Sequence, residues 1–312
     1  MMRKLTLAFI IVLVFPLVGF SQYYFDYGMK LGVSNSLTDI GGLEQTARPF
    51  VLDMKTQETR WAAGFYGRYK LKDPWSIEAN LTYVRIQGAD SLSTNSGRRG
   101  RNLNFRNDIF QFSLMGEWTF FENPDLGNTY RYENAFAAYL ATGIAVFYQD
   151  PYGYGNPPGG HGWGWYNLQP LETEGVHYHK IQPGIPIVLG FNFTLAKKYR
   201  IGWSLGWTKT FTDYLDDISG KYPQPSQLTS PMAAYFSNRT RPNAVEEADG
   251  LPGDNNYSPG QKRGDITNYD SYLITTIDAG YVIRGKSNFY RRHYGGIFSK
   301  NKYKVRRRRA KF

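Results

Sequence analysis

The stretch Ile-Gly-Trp-Ser-Leu-Gly-Trp at 201–207 puts Ile201, Trp203, Leu205 and Trp207 in one alternate set and Gly202, Ser204, Gly206 and Thr208 in the other. A helix winds the two sets around its surface. A strand separates them automatically, because successive side chains point to opposite faces. The same period runs through 23–35, where Tyr23, Phe25, Tyr27, Met29, Leu31 and Val33 alternate with Asp26, Gly28, Lys30, Gly32 and Ser34. It recurs at 61–71, 75–86 and 109–120, more weakly at 135–148 and 185–195, and again at 270–284. The pattern predicts eight strands.

The predicted connections alternate in length. Long ones (36–60, 87–108, 149–183 and 213–268) are separated by Lys72-Asp73-Pro74, by 121–134 and by Ala196-Lys197-Lys198. Short turns at one end and long loops at the other describe an outer-membrane β-barrel with its turns in the periplasm. An even number of strands then puts both chain ends in the periplasm.

A soluble β-sandwich also alternates, and two features argue against it. The apolar face carries aromatics near the strand ends (Trp61, Trp75, Trp118, Phe120, Phe147, Tyr199, Trp207), as membrane-interface girdles require. The opposite face carries Asp26, Lys30, Arg68, Glu78, Glu117 and Asp278, charges of both signs that a sandwich core could not desolvate cheaply. Eight strands enclose a space just wide enough for side chains. The expectation is therefore a lumen plugged by ion pairs among these six residues, with no diffusion pore.

The first 21 residues read as a secretory signal. Arg3 and Lys4 precede an apolar run from Leu5 to Phe20, which closes on Gly19-Phe20-Ser21 with small residues at the two positions a signal peptidase reads. The run is shorter than the roughly 20 residues of a spanning helix. The absence of cysteine removes disulfides, thiolate metal sites, a Cys nucleophile and a lipidated N-terminus. The domain reading is signal at 1–21, barrel at 22–285 and a basic, aromatic tail at 286–312.

That tail accounts for the net charge of +11: eleven Lys/Arg and no Asp/Glu lie from Lys286 onward, leaving 26 of the 37 basic residues against all 26 acidic ones. Arg291, Arg292, Lys300, Lys302, Lys304, Arg306, Arg307, Arg308, Arg309 and Lys311 alternate with Phe289, Tyr290, Tyr294, Ile297, Phe298 and Tyr303. The mixture suits a segment that docks on an acidic, partly apolar protein surface, or on anionic headgroups of the outer membrane's inner leaflet. Nucleic acid is excluded as a partner by compartment.

Candidate chemistry sits on the loops. Thr-Phe-Thr-Asp-Tyr-Leu-Asp-Asp brings Asp213, Asp216 and Asp217 just beyond the seventh strand, and the third long loop carries His161, His177 and His179. An Asp pair with a His could activate water as the omptin proteases do, or with two histidines hold a metal. Neither set has diagnostic spacing, and loop carboxylates more often serve caps and turns. No catalytic, cofactor or metal residue is therefore assigned, and no small-molecule substrate. The Gly/Pro/aromatic loop 151–166 is open to two readings, a carbohydrate or partner surface and aromatics folded over the barrel mouth.

Several segments resemble a known family. Phe-Asp-Tyr-Gly-Met-Lys-Leu-Gly-Val-Ser-Asn-Ser-Leu-Thr-Asp-Ile-Gly-Gly (25–42), Arg-Asn-Leu-Asn-Phe-Arg-Asn-Asp-Ile-Phe-Gln-Phe (101–112), Asn-Leu-Gln-Pro-Leu-Glu-Thr-Glu-Gly (167–175) and Lys-Thr-Phe-Thr-Asp-Tyr-Leu-Asp-Asp-Ile-Ser-Gly-Lys-Tyr (209–222) look like the PorG-like outer-membrane proteins of the Bacteroidetes type IX secretion system. The resemblance implies a non-enzymatic component that contacts the periplasmic ring of that machine, a lipoprotein with a soluble partner. The alternatives are a free-standing barrel binding surface ligands through loops 149–183 and 213–268, and third a barrel-loop hydrolase.

Overall fold

The computed structural model describes residues 24–40, 56–93, 95–123, 135–196, 198–240 and 257–284. The expected signal and the basic tail both lie outside them. The chain divides into a body, Asp26–Val282, and a unit of the two terminal segments, of which only Tyr24, Phe25, Ile283 and Arg284 are described.

Ten strands follow in order: β1 (Tyr24–Leu37), β2 (Arg60–Lys72), β3 (Trp75–Ala89), β4 (Asn104–Asn123), β5 (Ala135–Tyr148), β6 (Pro151–Gly155), β7 (Gly164–Asn167), β8 (Ile181–Leu195), β9 (Tyr199–Thr210) and β10 (Ser271–Arg284). Eight of them form one sheet in the order β3-β2-β1-β10-β9-β8-β5-β4, and β3 pairs back onto β4 to close it. The closing seam is antiparallel from Trp75↔Trp118 to Ala89↔Asn104. This is the closed eight-stranded antiparallel barrel of outer-membrane proteins. The remaining pair, β6–β7, is a hairpin that extends the wall above β4, with Arg106↔Tyr152 in register.

The barrel is apolar outside and polar inside. Along β4 the outward Phe110, Phe112, Leu114, Trp118 and Phe120 are exposed, while the inward Gln111, Ser113 and Glu117 are buried. Ten residues separate Phe110 from Phe120. At about 3.3 Å per residue and a tilt near 40° they span about 25 Å, the height of a lipid-facing band. Aromatics bound that band: Trp61 packs on Tyr83 at 4.6 Å and Tyr83 on Phe110 at 5.1 Å toward the long loops, and Trp118 meets Phe120 at 6.0 Å toward the turns.

One residue expected in the girdle is elsewhere. Phe147 is buried on the inner face, edge-on to Tyr272 at 6.2 Å, and Tyr148 faces outward in its place. The run Ala-Val-Phe-Tyr offers two adjacent aromatics, and only pairing register decides which points out; the partners here are Phe147↔Gln182 and Tyr148↔Ile181. Strand β8 also begins earlier than the alternation suggests, because Pro183 and Pro186 interrupt the pattern and the β5–β8 ladder skips from Thr142↔Ile187 to Ala145↔Gly184.

Inside, the barrel is stacked in three layers. An apolar layer of Val84, Ile86, Phe105, Ile109, Phe147 and Tyr272 lies beneath Ile40, Leu215 and Ile218 of the long loops. A hydrogen-bonding layer follows, then an ionic layer near the turns. Two short helices, α1 (Ser96–Arg101) and α2 (Pro231–Ser237), stand in the loops and are capped by Asn95 and Ser230, whose side chains accept from Arg98 N and Ala233 N.

The wall generates a depth-dependent expectation. Leu114→Arg at mid-band should destabilise the barrel by about 2–4 kcal/mol, and Phe120→Arg near the rim by about 1 kcal/mol or less. Urea titration in lipid vesicles measures both, and equal costs would contradict a membrane-spanning wall.

Candidate functional site

The ionic layer centres on Arg68. Its Nη1 donates to both Glu117 oxygens at 2.9 Å, and its Nη2 lies 3.2 Å from Asp26 and its Nε 3.7 Å from Glu78. Lys30 closes the far side on Glu78 at 2.7 Å. The guanidinium sits between two tyrosine rings, 5.6 Å from Tyr66 and 5.5 Å from Tyr139. Those rings need room: a Cβ at Gly190 would come within 2.6 Å of Tyr139, and one at Gly28 within 2.8 Å of Tyr66. The sequence set of Asp26, Lys30, Arg68, Glu78 and Glu117 is thus brought together. Asp278 is held by hydroxyls instead, accepting from Thr276 at 2.6 Å and Ser204 at 3.3 Å. Arg200, absent from that set, pairs with Asp26 at 3.3 Å. Between the ionic and apolar layers lies a cavity of about 50 Å³ lined by Asn80, Thr82, Ser113, Ser204 and Thr276. That is room for a few waters and too little for a solute.

Two buried arginines sew the long loops into a cap. Arg101 donates to both Asp90 oxygens at 2.8 and 2.9 Å, to Asp39 O at 3.0 Å and to Arg263 O at 2.6 Å. Arg263 donates to Glu174 and to Asp217 O, each at 2.8 Å, and to Ser237 O at 3.1 Å. Glu174 also accepts Ser219 N and Gly220 N. Each of the four long connections is therefore tied to another through a guanidinium or a carboxylate.

Two of the three loop aspartates, Asp216 and Asp217, are structural members of this cap, and Asp270 joins them. Asp216 accepts Ile40 N at 2.8 Å and Ile218 N at 3.0 Å. Asp217 takes the αL conformation at φ 67°, which Asp tolerates, and accepts from Thr173 at 2.5 Å and Tyr178 at 2.7 Å. Asp270 accepts Leu215 N at 2.9 Å. Burial pushes these carboxyls up: Asp217 to about 6, Asp213 to about 7, and Asp216 and Asp270 well above the usual range, helped by their neighbouring carboxylates. Asp213 Oδ2 is buried with no hydrogen-bond partner.

The histidines do not join them. His177 is exposed and faces Glu172 at 3.1 Å, with His179 edge-on at 5.9 Å. Among the described residues no three His, Asp or Glu side chains converge in a metal-holding group. The aspartate–histidine arrangement needed for a hydrolytic or metal site is not assembled there.

A cleft of about 670 Å³ opens in the cap between the third and fourth long loops. Val176, Tyr214, Pro223 and Ile266 supply apolar lining, and Lys221 and Lys262 line it as well. Both its size and its apolar lining fall in the range of small-molecule sites. Sequence reasoning missed it because it is built from backbone turns at 219–224 and 260–267, which pair through Tyr222 N→Gln261 O at 2.9 Å and Arg263 N→Gly220 O at 2.8 Å.

A family described as a domain of unknown function (DUF6089) matches residues 4–238. No curated protein matches the chain. Among solved structures it is similar to Ail, the attachment invasion locus protein of Yersinia pestis, at TM-score 0.32 and 7% identity over 84% of this chain and 99% of that one. It is also similar to the outer membrane protein OprG from Pseudomonas aeruginosa, at TM-score 0.34 and 11% identity over 84% and 96%. The outer membrane protein AlkL gives TM-score 0.31 and 9% identity over 86% and 94%.

Two outcomes follow from this geometry. Arg68→Met leaves Asp26 and Glu117 facing each other without their shared cation and should cost about 3–5 kcal/mol. Adding Glu117→Gln should recover part of that loss in denaturant titration. The cap should also respond to pH. A carboxyl raised in the folded state binds its proton more tightly there than when unfolded, so for Asp217 and Asp213 stability falls as pH climbs from about 4 to about 7. Hydrogen exchange at 211–222, corrected for intrinsic rates, should show protection higher at pH 5 than at pH 8 by on the order of 2–4 kcal/mol, and Asp213→Asn should reduce the difference.

Proposed function

The chain belongs to the family described as a domain of unknown function, DUF6089, and we propose that this member is a non-catalytic outer-membrane barrel that anchors a periplasmic protein complex. The observation that carries the reading is the sealed lumen. A barrel plugged by Arg68, Lys30 and their carboxylates, then lidded by Leu215 and Ile218, is an anchor and not a conduit. Two of the three aspartates that suggested hydrolysis, Asp216 and Asp217, spend their oxygens on cap contacts.

The finer reading rests on sequence. Resemblance to the PorG-like proteins supports the type IX secretion ring as the complex, with its lipoprotein and soluble partner as contacts. Strand parity supports placing both chain ends at the short-turn, periplasmic end, and the cationic tail supplies the docking arm, with guanidiniums that fit carboxylate or phosphate acceptors.

The cleft favours a second reading, a barrel that binds a surface ligand through loops 149–183 and 213–268. The two separate cleanly. Deleting residues 300–312 should leave the barrel inserted and shifting its gel mobility on heating, while ring co-purification falls several-fold and what remains loses less with added salt than the full-length protein does. Filling the cleft by Ile266→Trp should leave the ring yield unchanged. Full ring yield and normal secretion from the truncated protein would refute the tail as the docking arm, and loss of function from cleft filling alone would establish the second.

A further inference from the structure

The outward face of the wall does not end at the apolar band. Above Phe110 the outer register of β4 continues through Asp108, Arg106 and Asn104, and the β6–β7 hairpin pairs onto it. Arg106 lies opposite Tyr152, which lies opposite Asn167, and Tyr154 lies opposite Trp165. At about 3.3 Å per residue and 40° tilt, Arg106 stands about 10 Å and Tyr154 about 15 Å above Phe110. That is the level of lipid headgroups.

This level has its own chemistry. Tyr154 stacks with Trp163 at 5.9 Å and 28° and meets Trp165 at 5.3 Å, and Trp163 remains 67% exposed. The platform is held rigidly. Asn104 pairs with both backbone groups of Tyr154 at 2.7 and 3.2 Å, and Arg239 donates to the same carbonyl at 2.7 Å. Arg106 lies over Trp165, 4.4 Å from the ring centre. Its nearest carboxylate, Asp108 at 3.9 Å, is already taken by Arg85 at 2.5 and 3.1 Å and by the Tyr83 hydroxyl at 2.6 Å. Lys180 pairs with Asp150 at 2.8 Å. Arg85, Arg106, Lys180 and Arg239 against Asp108 and Asp150 leave two positive charges at the height where phosphates sit.

We infer that the outer face of Arg106, Tyr154, Trp163 and Trp165 binds the headgroup of a phosphorylated glycolipid in the surrounding leaflet, with Arg106 on the phosphate and the rings against the sugar's C–H face. The occupant is a membrane lipid because the platform continues the lipid-facing wall without a break. Phosphate wants the guanidinium fork, and a flat, exposed aromatic pair suits a sugar ring better than an acyl chain. The inference rests on the outer-membrane reading, with the long loops facing outward.

The full-length barrel would be inserted into vesicles of phosphatidylcholine with either phosphatidylglycerol, rough lipopolysaccharide or a neutral glycolipid, and bound lipid counted after detergent extraction. Retention of lipopolysaccharide at least ten-fold above the other two is expected. Trp163→Ala and Arg106→Gln should each lower it several-fold, with Trp163→Phe and Arg106→Lys intermediate and Trp118→Ala, at the other girdle, without effect. Equal retention of phosphatidylglycerol, indifference to both variants, or equal competition by the deacylated phosphosaccharide in solution would overturn the site. Failure of the wild-type barrel to insert would instead overturn the outer-membrane reading, and insertion is scored separately by heat-dependent gel mobility.

Discussion

A β-wall that faces hydrocarbon has no water to satisfy its backbone, so every amide must find a partner within the sheet. The β3–β4 seam meets that requirement by returning the first hairpin to the fourth strand over fifteen residue pairs. Closure then dictates what lies within. Eight strands enclose a space that must be filled by side chains, and alternation sends every second residue there, whatever its polarity. The chain fills it with matched opposites: Arg68 between two tyrosines and three carboxylates, and Lys30 on Glu78. Replacing such a network by apolar residues is often no less stable. What the charges add here is register, since a one-residue slip of β2 would turn Arg68 into lipid and Tyr69 into the lumen.

The long-loop end solves a different problem. Loops of this length carry many backbone polar groups, and burying them over an apolar plug requires partners. Arg101 and Arg263 supply donors to carbonyls that no strand reaches, and Asp216, Asp217, Asp270 and Glu174 supply acceptors to amides and hydroxyls. Segments 25–42, 101–112, 167–175 and 209–222 meet here. Asp39 and Ile40 come from the first, Arg101 and Asn107 from the second, Thr173 and Glu174 from the third, Asp216 and Asp217 from the fourth. Asn107, wholly buried, donates to Leu215 O at 2.8 Å and joins the wall to the cap.

The strands were legible because period 2 is a local property, and so was the inner charge set, which follows from alternation alone. The cap was not, since Arg101 and Arg263 read as ordinary loop arginines until their partners, up to 162 residues away in sequence, are known. Phe147 and Tyr148 differ only by register, which no local pattern fixes. Hairpin β6–β7 hid in a Gly/Pro/aromatic stretch, where Gly153 and Gly155 leave space for the rings of Phe236 and Tyr235 rather than marking a loose loop. The loop aspartates read as chemistry because a sequence shows carboxylates and not the amides that Asp216 accepts or the hydroxyls that Asp217 accepts.

Charge is divided accordingly. Within the body most ionic groups have partners inside the molecule, from Arg68 with Glu117 in the lumen to Arg263 with Glu174 in the cap, and its 23 basic residues nearly offset its 26 acidic ones. Such a body projects little field beyond a Debye length of about 8 Å. A segment with eleven cations and no anions therefore sets the electrostatics of the whole chain from one end. On the anchor reading this division has a purpose: the wall fixes position through apolar area, which salt does not screen, and the tail engages its partner through charge, which salt does. Position in the membrane and occupancy of the partner are then controlled by different physics and can vary independently.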